Sequence, residues 1–98
     1  MLFGVLYVPH TGGSSEEAQK RSLQLFTQWS PPFEFKAHYA RGDGKGGIAI
    51  VEADSAEAVV EGISVWLPFF EFDVTPVVDI EAAVPVFQRA YEWRDSVS

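Results

Sequence analysis

The amino-acid sequence predicts a single α+β domain, residues 1–98, in which helices lie on one face of a four-stranded antiparallel sheet. Residues 2–8 and 48–51 are apolar on both sides of an extended chain, which is typical of central strands. Residues 33–39 and 70–78 alternate apolar and polar side chains, as edge strands with one wet face do. A chain of 98 residues fits one domain with a radius of gyration of about 13 Å.

The first strand, residues 2–8, ends where Pro9-His10-Thr11-Gly12-Gly13 interrupts the apolar run. Ser14 and Glu17 have the spacing of a capping box and predict that the first helix begins there. Apolar and small residues then recur at helical spacing: Ala18, Ser22, Leu25, Phe26 and Trp29. Ser30-Pro31-Pro32 ends the helix.

The second strand is predicted from strict alternation between positions 33 and 39. One parity holds Phe33, Phe35, Ala37 and Tyr39, and the other holds Glu34, Lys36 and His38. We therefore expect Tyr39 to join the core and His38 and Lys36 to lie on the opposite face. The glycine-rich segment 42–47 predicts a hairpin turn, which pairs the second strand with the third in antiparallel fashion.

The second half of the chain repeats the pattern. Asp54 and Glu57 predict the start of a helix that Pro68 ends. In the following strand Pro76 cannot donate to a ladder, which favours an edge position. A third helix is predicted over residues 79–94, with Pro85 expected to split off its first turn. Its apolar face consists of Ile80, Ala83, Val84, Phe87 and Tyr91.

The predicted order βαββαβ plus a terminal helix is the ferredoxin-like arrangement, for which we expect strand order 4-1-3-2. Helices cover one face of such a sheet, yet the central strands also supply apolar residues to the other face, to which we assign Val51. We expect a homodimer, packed sheet to sheet, or a larger protein assembly to cover that face. The alternative is a monomer in which the C-terminal helix folds across it.

Three segments carry a resemblance to a known family: residues 30–32, the hairpin 42–52 and the closing segment 70–81. With them the chain resembles the dimeric α+β barrel superfamily and, more closely, a family of small domains of unknown function. The superfamily includes cofactor-independent monooxygenases, cyclases and haem-binding or haem-degrading enzymes. The resemblance thus implies a small apolar molecule held between sheet and helices, while the closer family supplies no catalytic residue.

Composition excludes several classes of function. A formal charge of −7 disfavours nucleic acid as a partner. The chain has no cysteine, which excludes disulfides and thiol chemistry. The apolar segment 2–8 lacks the features of a signal peptide, and no apolar run approaches the roughly 18 residues of a membrane span, so we expect a cytoplasmic protein without a membrane partner.

His38, Lys36 and Tyr7 are the candidate site residues, because imidazole exchanges protons near neutral pH and the other two supply donors. Neither His38 nor His10 has the spacing of a metal site, and the sequence predicts no metal or cofactor. We expect a non-enzymatic module for homodimerisation or assembly, and the alternative is a binder of a small apolar molecule or a cofactor-independent enzyme. An interaction module would leave these polar groups scattered around an apolar patch, whereas a ligand binder or enzyme would bring His38, Lys36 or Tyr7 into one cavity.

Overall fold

A computed structural model describes residues 1–10 and 15–97 of the chain. The elements are β1 (Leu2–Pro9), α1 (Glu16–Gln28), β2 (Glu34–Ala40), β3 (Gly47–Glu52), α2 (Ala56–Ser64), β4 (Phe70–Val77) and α3 (Ile80–Ser96). This confirms the predicted α+β class. Within the described ranges no helix is both long and apolar enough to cross a membrane.

The four strands form one antiparallel sheet in the order β2-β3-β1-β4, which reads 4-1-3-2 from the opposite edge. The central strands are the two that are apolar on both sides, as the sequence predicts. The edge strand β4 contains Pro76, which lies opposite Phe3 of β1. The hairpin between β2 and β3 is confirmed, with Gly44 and Gly46 in the positive-φ conformations that such a turn requires.

The helix caps lie later than the sequence predicts. Ser55, not Asp54, caps α2, and its hydroxyl accepts a hydrogen bond from the backbone N–H of Ala58. Ser15 caps α1 in the same way, while the predicted cap Ser14 lies outside the described residues. Because each cap lies one residue later than predicted, Glu17 and Glu57 are the second residues of their helices instead of the third, and neither forms the predicted capping box. The glutamates instead place negative charge in the first turn, where it complements the helix dipole.

A β-bulge in β2 overturns the predicted alternation. Phe35 lies opposite Val51 and Ala37 opposite Ile50, so two β3 neighbours face three β2 residues and Lys36 is the extra one. After the bulge, the side chains of β2 point to the faces opposite to those that the alternation predicts. The prediction that Tyr39 joins the core is wrong, since its side chain is 68% exposed on the far face of the sheet.

The core lies between the sheet and α2. Its buried side chains are Phe3, Val5, Ala49, Val51, Ala53 and Val59. Assigning Val51 to the uncovered face was wrong, because it pairs with Phe3 and shares the helix-covered side of the sheet. Along its described length α1 buries no residue completely, so it covers the sheet only loosely.

The sheet face turned away from α1 and α2 is called the open face below. Its middle row runs from Tyr39 through Ile48 and Leu6 to Asp73, each opposite the next across the strands. Ile48 and Leu6 are 43% and 48% exposed. The open face is therefore an apolar surface that no element of the described chain covers.

Helix α3 does not fold across the open face, so the prediction that it covers this face within a monomer is wrong. Ala83 is its only buried residue. The chain measures 61 Å along its longest axis with a radius of gyration of 17.5 Å, well above the value of about 13 Å expected for a compact domain. The difference arises because α3 extends away from the sheet. Pro85 does not split it, since the helix continues through this residue.

Deletion of Lys36 tests the bulge. Because Lys36 is the extra residue, its removal should leave His38 on the helix-covered face and Tyr39 on the open face, with a loss in free energy of unfolding on the order of 1 kcal/mol. Urea denaturation and the solvent accessibility of Tyr39 to iodination measure the outcome. If β2 alternated regularly, the deletion would exchange the two faces beyond it. An unfolded variant, or a Tyr39 that is protected in the wild type and becomes exposed only in the variant, would contradict the assignment.

Candidate functional site

A cavity of about 240 Å³ lies between α1, α2 and the helix-covered face of the sheet. Its wall is formed by Val5, Tyr7, Ser22, Leu23, Phe26, Trp29, Phe33, Phe35, His38, Ala49, Ile63, Trp66, Phe70 and Phe72. Most of these side chains are apolar, and many are aromatic. The cavity opens to solvent because α1 packs loosely and leaves Phe26 and Leu23 partly exposed.

Small residues leave the room that the aromatic rings occupy. A Cβ atom at Gly47 would lie 2.3 Å from the Tyr7 hydroxyl oxygen, which is far inside van der Waals contact. Gly47 lies opposite Tyr7 in the sheet, so its missing side chain allows the phenol to lie over β3. On α2, a Cβ atom at Gly62 would lie 2.2 Å from Phe33 Cε2, and its absence lets the helix approach that ring.

Tyr7 and His38 form a bonded polar pair in the wall. The Tyr7 hydroxyl oxygen and His38 Nε2 are 2.6 Å apart, and either the phenol donates to the ring nitrogen or the ring N–H donates to the phenol. The imidazole stacks on Phe35 with ring centroids 4.7 Å apart and planes at 5°. The phenol contacts the Phe70 ring edge to face at 5.1 Å. These contacts fix both rings at the cavity wall.

Both members of this pair are neutral near pH 7. Partial burial lowers the pKa of His38 below its ordinary value of 6.5, since the protonated ring would lose hydration. Burial raises the pKa of Tyr7 above 10.0 for the corresponding reason. The neutral imidazole and the neutral phenol can each form a hydrogen bond with a neutral polar group of a ligand, and the imidazole can also accept a proton.

Trp66 contributes the one buried side-chain polar atom that has no hydrogen-bond partner within the described residues, its indole Nε1. The side chain is 7% exposed and packs edge to face on Trp29, with ring centroids 5.1 Å apart. An unsatisfied buried donor costs about 1–3 kcal/mol. The indole N–H is therefore a buried donor for which the described residues provide no acceptor.

The structure brings together two of the three predicted site residues. Tyr7 and His38 are bonded to each other, whereas Lys36 lies outside the cavity wall at the bulge and pairs with Glu34 at 3.3 Å. The prediction that His38 and Lys36 lie on one face fails for the same reason as that for Tyr39. His10 has a structural contact, since its Nε2 lies 2.7 Å from the carbonyl oxygen of Leu67.

Sequence reasoning missed the contribution of Trp66 and Gly47. Trp66 falls within the predicted second helix, and nothing in a helical pattern reports whether an indole N–H finds an acceptor. In the sequence, the hairpin turn alone accounts for Gly47. Its position at the end of a glycine run hid its second role, which depends on the register between β1 and β3.

Metal chemistry finds no support in the described ranges, where no three His, Asp or Glu side chains are grouped so that they could hold an ion. The fold and cavity define a small α+β domain with an aromatic-lined pocket beneath its helices. A model of the family described as "Domain of unknown function (DUF3303)" matches residues 1–91, and the chain belongs to this family. Comparison with curated proteins finds no match. The predicted resemblance to a family of domains of unknown function is thus confirmed.

The lowered pKa of His38 predicts a pH dependence of stability. Below pH 6.5 the unfolded chain binds a proton at this site more readily than the folded chain does, so the contribution is complete above pH 6.5 and is lost as the pH falls from 6.5 through the lower pKa of the folded state. The difference in free energy of unfolding between wild type and His38→Gln should therefore shrink between pH 7.5 and pH 5. Urea denaturation of both proteins at each pH measures it, because the other titrating groups cancel. A difference that grows on acidification would contradict the assignment.

Proposed function

We propose that this domain binds a small, planar, apolar compound that carries a neutral oxygen, and that the compound lies in the cavity beneath α1. The observation that carries the proposal is the composition of the wall, in which aromatic rings surround a single bonded pair, Tyr7 and His38. Ligand sites in proteins are typically concave and apolar, with a few polar groups that fix the orientation of the ligand.

The volume of the cavity sets the size of the ligand. A dry cavity of about 150 Å³ takes benzene in another protein. The cavity here is about 240 Å³, which by simple scaling takes roughly ten heavy atoms, the size of a bicyclic aromatic ring system. Because the mouth is open, a substituent can extend past Leu23 into solvent.

The polar groups of the cavity wall determine the chemistry of the ligand. A charged ligand would leave water for an apolar wall with no opposite charge, since both Tyr7 and His38 are neutral near pH 7. A hydroxyl or carbonyl oxygen, by contrast, can share hydrogen bonds with the pair.

The resemblance to the dimeric α+β barrel superfamily and its ferredoxin-like architecture supports the same location for the ligand. That superfamily includes cofactor-independent monooxygenases and cyclases. If this chain turns its ligand over, His38 is the proton acceptor, because its imidazole is held neutral and its ring is fixed by Phe35. The charge of −7 supports the proposal that nucleic acid is not a partner.

Calorimetric titration with 2-naphthol, a bicyclic phenol, tests the proposal. We expect saturable binding of one molecule per chain, weakened tenfold or more by Ser22→Leu, because that side chain fills the cavity from α1. Ser64→Leu is the matched control. Ser64 is also a helical serine bonded to a backbone carbonyl, but it lies outside the cavity wall, so its affinity should stay within twofold of wild type.

Tyr7→Phe separates the polar recognition from the apolar fit. It keeps the ring and removes the hydroxyl, so binding of 2-naphthol should weaken about threefold to tenfold, the equivalent of one hydrogen bond. Equal affinity in wild type and Ser22→Leu, or no saturable binding by wild type, would contradict the proposal.

A second candidate is a homodimer, or a larger assembly, that buries the open face. The specific observation is the exposed row of Leu6, Ile48 and Tyr39 across three adjacent strands. Contiguous exposed apolar surface of this kind marks interaction sites. The two candidates are compatible, because the cavity and the open face lie on opposite sides of the sheet.

The dimer is tested by Ile48→Asp. A carboxylate in the middle of the open face should raise the dissociation constant of the dimer tenfold or more, measured by sedimentation equilibrium. Val60→Asp is the matched control, since Val60 is an exposed aliphatic residue of α2. A wild-type protein that stays monomeric at millimolar concentration would contradict this candidate.

A further inference from the structure

Helix α3 has a broad apolar surface that, apart from Ala83 near its start, is not buried by the described chain. Its exposed apolar residues are Ile80, Val84, Val86, Phe87, Tyr91 and Trp93. At 3.6 residues per turn these positions fall within about 180° of the helix circumference. We call this surface the α3 arc. A soluble helix normally buries such a surface, so the arc requires a partner.

We propose that the α3 arc of one copy lies across the open face of a second copy, and that the second copy returns the same contact. This inference rests on the dimer candidate above, but it commits to a different occupant of the open face, a helix in place of a sheet. Exchange of a terminal element between identical chains is a low-cost route to a dimer. Both unpartnered surfaces of the chain are then buried by one symmetric contact.

The dimensions of the two surfaces agree. A helix of 17 residues is about 25 Å long, and strands of eight residues such as β1 and β4 span about 26 Å. The α3 arc can therefore follow a central strand along its full length. The tether between β4 and α3 is only Val78 and Asp79, and the helix projects from the sheet in this structure. A projecting helix is free to reach another molecule.

The areas favour reciprocal use of both surfaces. At exposures of 48%, 53% and 68%, the side chains of Phe87, Tyr91 and Trp93 offer on the order of 300 Å² that a partner can cover. A stable interface buries about 800 Å² on each side. The aromatic residues of the arc do not reach that value by themselves. In the exchanged arrangement each copy buries its own arc and its own open face, and the two contributions add.

Charge complementarity gives the contact an orientation. Arg94 falls within the α3 arc, and its guanidinium lies 5.0 Å from the centre of the Tyr91 ring. Glu71 and Asp73 lie on the open-face side of β4, opposite Val8 and Leu6. Across the described chain none of these three charged side chains has an ion-pair partner.

The average field opposes association, because each chain carries a charge of −7. Arg94 on an apolar helix surface and two unpaired carboxylates on an apolar sheet surface relieve that repulsion at the place of contact. We therefore place Arg94 of each copy beside Asp73 or Glu71 of the other. A sheet-to-sheet dimer would leave Arg94 and the α3 arc in water.

A charge exchange within one chain tests the orientation. By sedimentation equilibrium we expect Arg94→Asp and Asp73→Arg each to raise the dissociation constant of the dimer about tenfold, and the double variant to return within about threefold of wild type, since each copy then presents Asp to Arg. Arg89→Asp is the matched control. It lies about 140° around the helix from Arg94, outside the arc, and should leave the constant within threefold of wild type.

Cross-linking identifies the occupant without depending on charge. The chain has no cysteine, so single cysteines report one contact each. Mixed Leu6→Cys and Phe87→Cys proteins should form a disulfide-linked heterodimer on mild oxidation, and Leu6→Cys alone should remain unlinked. Efficient Leu6→Cys self-linking without the mixed product would overturn the helix as occupant while the dimer stands. A wild-type protein that is monomeric at millimolar concentration would overturn both.

Discussion

One extra residue in an edge strand determines what each face of the sheet presents. Up to Phe35 the inward side chains of β2 are aromatic core residues, and after the bulge at Lys36 the inward position falls to His38 and the outward one to Tyr39. The cavity thereby gains its imidazole and the open face gains an aromatic ring. Bulges commonly re-aim side chains near functional sites. Without this one, neither surface would have its observed chemistry.

The cavity also depends on the missing side chain of Gly47 and on the loose packing of α1. Gly47 leaves the space in which the phenol of Tyr7 lies, and α1 buries none of its described side chains fully. Protein interiors are normally packed to the density of organic crystals, so unfilled space beneath a helix forfeits dispersion contacts. A ligand of matching size would recover those contacts. The loosely packed helix and the paired Tyr7 and His38 are thus two parts of one site.

Sequence patterns predict most of the fold but only part of the site. Apolar runs and alternation predict all four strands, their antiparallel pairing and the edge position of the strand with Pro76. The bulge escapes this reasoning, because residues 33–39 alternate perfectly and only the register against β3 reveals that Lys36 is extra. The start of α2 shifts by one residue, since Asp54 and Ser55 are both good caps.

Amphipathic patterns show which face of a helix is apolar, not what covers it. Helix α3 has the predicted apolar stripe, yet the described part of the chain does not cover it, because Ala83 is the one residue of α3 that is buried there. The orphaned indole of Trp66 is a similar case. Its isolation is a property of three-dimensional packing around the Trp29 ring, which no spacing along the chain encodes.

The direct test of the account is a nuclear Overhauser measurement on the His38 ring in solution. We expect cross-peaks from its ring protons to Tyr7 and Phe26, whose ring centroids lie 5.8 Å and 5.9 Å away, and none from the Tyr39 ring to Tyr7. Cross-peaks that place Tyr39 against Tyr7, with His38 in contact with Ile48 instead, would show that β2 has no bulge. The cavity would then lack its imidazole, and the proposed site would fall with it.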